Sequence, residues 1–284
     1  MYTWKKKIKG NFRMKDEQIE RRLKELKKLG YIVPNMKILK TRAQLDGIKA
    51  SGDINSAVLD YVVSRVEIGM STEEIDNMVF TKTKELGGIP GTLNYEGFPK
   101  SSCTSINDQI CHGIPSKKNI LKDGDIVNVD ITTIYNGYYS DSSRMVMLGN
   151  VKEETKKLVQ VAKECIEEGL KEVKPWGFLG DMGHAVNEHA KKNGFSVVRE
   201  VGGHGVGFAM HEDPFVSYVA KKGTEMVMVP GMVFTIEPMI NMGTCRIKVD
   251  RQNGWTIYTK DGLPSAQWEV TVAITENGYK ILAY

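Results

Sequence analysis

Nothing in these 284 residues approaches the roughly 18 consecutive apolar residues that a membrane-spanning helix requires. The amino end, Met1-Tyr2-Thr3-Trp4 followed by Lys5, Lys6 and Lys7, runs into more charge rather than an apolar stretch, so it does not read as a secretory leader. Cysteine is sparse. Cys103, Cys111, Cys165 and Cys245 form no C-x-x-C pair and no dense framework, which argues against disulfide stapling and for reduced thiols in a cytoplasmic chain. Compositional bias is missing too: 41% hydrophobic and 26% charged residues exclude a disordered chain and suit a globular enzyme. A chain of this length buries about three quarters of its unfolded surface, enough for one large α/β or α+β domain without covalent help.

What charge there is sits unevenly. Residues 1–30 carry eleven Lys/Arg against four Asp/Glu, or +7, so the remainder is −3 within a total of +4. Two readings stay open: a solvated, partly helical arm, or a segment that attaches to a polyanion. Residues 16–29 read as a charged helix ended by Gly30, and Gly30 and Pro34 punctuate a connector. This divides the chain into a basic extension, 1–39, and a main domain, 40–284. Further helices are expected around Ile54–Val66 and from Ser71-Thr72-Glu73-Glu74, a capping box, to Gly87. Residues 125–134 and 139–148 alternate as strands about Asn136-Gly137, a strong hairpin signal.

Much of this recurs at an offset of 107 residues. It carries Gly87 to Gly194, which ends a helix from about Gly180 to Asn193. It also carries Gly124, before the strand ending in Asp130, to Gly231, before Val233-Phe234-Thr235-Ile236-Glu237. A constant offset shared by helix stops, strand starts and an acid in each half implies a duplication, with two lobes about a pseudo-twofold axis and a cleft between them.

The hairpin also sets two acids side by side. With a two-residue turn at Asn136-Gly137, Asp141 lies opposite Thr132, and Asp130, two residues from Thr132, shares its face. Diagonal neighbours are about 7–8 Å apart, and like charges so placed need a cation between them unless the face is solvated. Ile131, Val129, Val127 and Tyr138 make the surroundings apolar, which favours the cation. Glu237 and Glu269 sit in apolar strand-like runs and need partners. His204 lies in Gly202-Gly203-His204-Gly205-Val206-Gly207; no helix-forming run follows, so this is not a phosphate loop. Singly, each could be a satisfied core residue. Together they form an oxygen-rich set with one imidazole and no thiolate, suited to Mn, Fe or Co, with Zn possible.

At these residues the chain resembles the duplicated pita-bread metallopeptidases, and in particular the type I methionine aminopeptidases. The resemblance covers about residues 40–284. It is carried by Tyr95-Glu96-Gly97-Phe98-Pro99-Lys100-Ser101-Ser102-Cys103, Cys111-His112-Gly113-Ile114-Pro115, Asn128-Val129-Asp130, Tyr139-Ser140-Asp141, Gly203-His204-Gly205, His211-Glu212, Thr235-Ile236-Glu237-Pro238 and Gln267-Trp268-Glu269. It implies an α+β pita-bread fold, antiparallel sheet with helices on the outer face, acting as a monomer. It implies two divalent ions, with Asp130 on one, His204 and Glu237 on the other, and Asp141 and Glu269 bridging them. His112 and His211 would contact substrate, Glu237 would act as general base, and Tyr95, Phe98, Cys103, Met210 and Trp255 would line a methionine pocket. Met210 stands where Phe is more usual, and Thr92 where some members have cysteine. The implied activity is removal of the initiator methionine from nascent polypeptides with a small second residue, by metal-activated water attack. Ribosomal RNA is then the natural polyanion for the basic arm.

Three other readings share parts of this pattern. Proline-specific pita-bread peptidases have the same five ligands but resemble a longer architecture, whereas only about 40 residues precede the repeat here. The type II methionine enzymes carry a helical insertion between the second active-site histidine and the first glutamate ligand, yet only 25 residues separate His211 from Glu237. A metal-free binding scaffold would not need all five ligand types.

Overall fold

The computed structural model describes residues 16–284. The chain enters through α1 (Asp16–Lys28), whose Ile19 and Leu23, four residues apart and therefore on one face, are buried in the main hydrophobic core. Arg22 lies 4.0 Å over the ring of Trp176. The basic stretch before Asp16 lies outside the described residues. α2 (Arg42–Val63) begins well before the expected Ile54, because Thr41 and Gln44 close a capping box at its start. α3 (Thr72–Glu85) opens on the expected box between Ser71 and Glu74.

The first half-sheet follows. β1 (Ile89–Pro90) and β2 (Cys103–Ile106) pair antiparallel with one edge of β4 (Ile126–Tyr135), while β5 (Tyr138–Met147) pairs with the other; β3 (Gln109–Cys111) leaves for a separate sheet. Asn136 and Gly137 both take positive φ, 50° and 80°, as a tight hairpin turn requires. Val58, Leu59 and Val62 of α2 and Ile75 and Val79 of α3 pack on Val127, Val129 and Ile131, so the helices cover one face of this sheet.

The second half repeats the plan. α4 (Glu153–Glu172), which the sequence reading did not identify, packs beside α5 (Leu179–Lys192). Gly169 permits the close approach: a Cβ there would lie 3.1 Å from Val186. Next come β6 (Ser196–Val197), β7 (Gly203–Gly205), β8 (Glu212–Val216) and β9 (Val233–Ile236), then β10 (Met239–Asn241), β11 (Ile247–Val249), β12 (Ile257–Thr259) and β13 (Ser265–Gln267), and finally β14 (Val270–Thr275) and β15 (Gly278–Ala283). The main sheet here runs β15-β14-β9-β7-β8, with the small sheets β13-β10-β6 and β11-β12-β3 at its margin. Leu158, Ala162 and Val186 pack on Phe234, Ile236 and Val272, again covering one face.

The duplication is therefore structural. The 107-residue offset carries α3 onto α5 and β1 onto β6 end to end, and the first residue of β4 onto that of β9. Gly87 and Gly194 share φ of 81° and 87°, and Gly124 and Gly231 share 90° and 96°, the left-handed conformation that glycine adopts without strain. A bridge between Ser143 and Glu269 stitches the half-sheets together. This is the pita-bread arrangement, with the uncovered sheet faces turned toward a common cleft. Among the described residues no helix is long and apolar enough to cross a membrane.

Candidate metal centre

The hairpin register is the expected one: Thr132 faces Asp141. Asp130 pairs across β4 with Ser143 on one side and Cys103 on the other, which puts the Cys103 thiol on the same face. The Thr132 hydroxyl donates to Asp141 Oδ2 at 3.1 Å, while the buried Asp141 Oδ1 has no hydrogen-bond partner among the described residues. Arg144, the one basic residue on these strands, turns away to Asp60 and to the Tyr284 carbonyl at 2.7 Å.

The other half supplies the remaining ligand types. His204 is central in β7, between glycines that leave no space for side chains: a Cβ at Gly203 would meet the Thr235 carbonyl oxygen at 2.5 Å, and one at Gly205 that of Asp213 at 2.1 Å. His204 Nδ1 donates to the Gly205 carbonyl at 2.9 Å. That leaves the Nε2 lone pair facing inward, 3.4 Å from Glu237 Oε1 and 3.9 Å from Asp141 Oδ2. Glu237 Oε1 accepts from the Thr235 hydroxyl at 2.7 Å, and Oε2 from Gln267 Nε2 at 3.1 Å. The Glu237 N–H donates to the Tyr218 phenol oxygen at 2.7 Å. Asp141, His204 and Glu269 offer ligand atoms all within 4.8 Å of one another.

Such packing of acids is unstable by itself. Burial pushes Asp130 up to about 7, and burial plus the other acids push Asp141, Glu237 and Glu269 well above the ordinary carboxylate range. Burial and His211 drive His204 down to about 3, so its imidazole is neutral. Among the described residues lining the cleft there is no lysine or arginine to offset the carboxylates. An orphaned carboxylate oxygen, an inward imidazole lone pair and four acids lining one cleft fit a divalent cation that takes oxygen and imidazole ligands.

The cleft over this nest has a volume of about 440 Å³. All five acid and imidazole side chains line it, and so do His112, His211, Tyr95, Phe98, Cys103, Met210 and Trp255. Phe98 and Trp255 meet edge to face at 5.2 Å, forming an apolar wall. Burial, with His211, lowers His112 to about 4, and burial lowers His211. Tyr95, whose phenol burial holds above its usual range, lies 2.9 Å from His211 Nδ1. In the tautomer in which the phenol donates to that nitrogen, the neutral His211 carries its proton on Nε2 as a donor to the cleft. His184 and His189 are on α5 and do not line the cleft; His189 pairs with Glu164 at 2.8 Å.

The sequence reading missed the supports. Thr235 and Gln267 both hold Glu237, and each stands two residues before a glutamate, on the same strand face; that period-two spacing was the available signal. Tyr218 had no comparable signal, whereas the hairpin register had already set Thr132 opposite Asp141. Glu200, Val201 and Phe215 also line the cleft.

The chain matches the model for metallopeptidase family M24 over residues 46–276. It is 46% identical over 244 residues to methionine aminopeptidase A of Synechocystis sp., covering 86% of this chain and 96% of the relative. The crystal structure of methionine aminopeptidase from Rickettsia prowazekii superposes with a TM-score of 0.85 at 38% identity, over 87% of this chain and 99% of that one. Prolidase from Pyrococcus furiosus reaches 0.69 at 25% identity and is matched over only 65% of its length. The site geometry and these likenesses agree, and the chain belongs to metallopeptidase family M24, on its methionine aminopeptidase branch.

Proposed function

We propose that this protein removes the initiator methionine from nascent polypeptides in the cytoplasm when the second residue is small. The observation that carries the reading is a single cleft lined both by apolar side chains suited to a thioether and by four carboxylates and an imidazole. Asp130, Asp141, His204, Glu237 and Glu269 would hold two divalent ions of the Co, Mn, Fe or Zn class. Bound there, such ions supply an acidified water and electrophilic pull on a carbonyl oxygen.

The chain's own groups do the rest. Tyr95, Phe98, Cys103, Met210 and Trp255 receive the methionine side chain and exclude water from it. His112, neutral at physiological pH, receives the N-terminal amine. His211 Nε2–H, fixed by Tyr95, donates to the scissile carbonyl as it gains charge. Glu237 takes the proton of the attacking water and returns it to the leaving nitrogen, its own carboxylate held by Thr235 and Gln267. The basic arm would add contact with ribosomal RNA, bringing the enzyme to emerging chains.

Initial rates on Met-Ala-x, Met-Leu-x and Ala-Pro-x peptides with Mn, Fe, Co or Zn test this. Met-Ala-x should be cleaved at least about tenfold faster than either competitor, the discrimination a tight pocket provides. Faster cleavage of Ala-Pro-x would move the protein to the proline-specific reading, and no cleavage with any metal would leave only a binding protein.

A further inference from the structure

Lys40 is only 2% exposed, an uncommon state for lysine, and it lies before the region matched by the family model. Its backbone N–H donates to the Gly231 carbonyl at 2.7 Å, tying it to the chain that enters β9. Its stem runs past Gly207, where a Cβ would lie 2.9 Å from Lys40 Cε; a residue larger than glycine would block the passage. At the end of that passage the ammonium reaches Glu212 Oε2, in direct contact, and lies 4.6 Å from the centre of the Phe208 ring.

Glu212 is not a bystander. Its other oxygen accepts the backbone N–H groups of Phe208 and of Ala209, the latter at 3.0 Å. The carboxylate therefore closes the turn between β7 and β8, and Lys40 locks the carboxylate. This turn carries Met210 and His211 into the cleft, with the His211 ring 4.3 Å from that of His204.

From this geometry we propose that Lys40 is a positioning residue: through Glu212 and Phe208 it fixes the turn that presents Met210 and His211 to substrate. The proposal rests on the substrate-facing roles given to those two residues above. The connector before α2 is then part of the catalytic apparatus rather than a tether.

Removing Lys40 alone would strand a partly buried carboxylate against the turn and can unfold the protein, so the informative variant is the neutral pair K40M/E212Q. The side-chain amide introduced by E212Q keeps an acceptor for the two turn N–H groups, but the ammonium's grip is gone. In full-length, metal-depleted protein, exchange of the Phe208 and Ala209 amides should quicken about tenfold relative to the rest of the chain. In the metal-loaded enzyme, kcat on Met-Ala-x should fall by about 10- to 100-fold, as a misplaced catalytic group gives, with metal content unchanged and KM moving less. K40R, which keeps the charge, should restore most of both signals. Parental exchange and kcat in the double variant would overturn the proposal. So would faster exchange spread evenly over the whole chain, the mark of a purely structural pair. If the parent cleaves no methionyl peptide, the functional reading fails, while the exchange measurement still decides whether Lys40 holds the turn.

Discussion

Under the proposed function Glu237 serves two needs, as a metal ligand and as the general base. Its oxygens accept from Thr235 and Gln267, which aim the carboxylate at His204, and in the proposed mechanism the same carboxylate exchanges the proton. Glu237→Gln keeps a carbonyl oxygen but removes the proton acceptor, so kcat should drop by about 10²–10⁴-fold. Metal content measured on the same sample separates loss of the base from loss of a ligand, and KM should shift less because the methionine slot is built from other residues. A variant that retains two metals and a kcat within a few-fold of the parent would make Glu237 a structural ligand only. Asp130, Asp141, Glu237 and Glu269 were legible in the sequence because charge inside an apolar strand pattern is costly enough to demand a reason. Tyr218 was not: a buried tyrosine between Ser217 and Val219 looks like core, and only the fold reveals its oxygen on the Glu237 backbone.

Among the elements, those with strong local chemistry were legible and those defined by packing were not. The Asn136-Gly137 turn fixed the β4–β5 register, and the Ser71/Glu74 box fixed the start of α3. α4 has no side-chain cap, and its apolar stripe acquires meaning only against α5 and the second sheet. α1 joins local signal to tertiary role: it is highly charged, yet Ile19 and Leu23 are buried in the main core. Burying two such side chains contributes about 3–6 kcal/mol as an upper bound. Deleting residues 1–36 should therefore lower Tm by about 5–10 °C. Turnover of short methionyl peptides should stay within about twofold, since every residue lining the cleft lies at Thr92 or beyond and Lys40 is retained. Ribosome binding at low salt, and its dependence on salt, should both weaken. An unchanged Tm would mean that α1 contributes nothing to the core, and equal ribosome affinity would remove the role given to the arm.

The molecule as a whole is two copies of one plan whose uncovered sheet faces meet, and the meeting place concentrates acids. Neither half supplies a site by itself: Asp130 and Asp141 come from the first, His204, Glu237 and Glu269 from the second, joined through the Ser143–Glu269 bridge. Without a cation this arrangement opposes folding. Asp130, with an ordinary value of 3.8, is raised to about 7 in the fold by burial, and burial with the neighbouring acids raises Asp141, Glu237 and Glu269 well above their ordinary values. A carboxyl raised by folding binds its proton more tightly in the native than in the unfolded chain. Its contribution to stability is therefore lost as pH rises from about 4 through about 7, the interval between the two values for Asp130. Metal-depleted protein should melt at a lower temperature at pH 8 than at pH 6. A divalent ion reverses the slope, because it binds the ionised acids and competes with protons for them. The Tm gained on adding saturating Mn should thus be small near pH 5.5 and grow steadily to pH 8. Scanning calorimetry on chelator-treated and Mn-loaded protein across this range tests the argument. A gain in Tm independent of pH would mean that the acids are already ionised and paired without metal, and the cleft would then need another explanation for its missing cations.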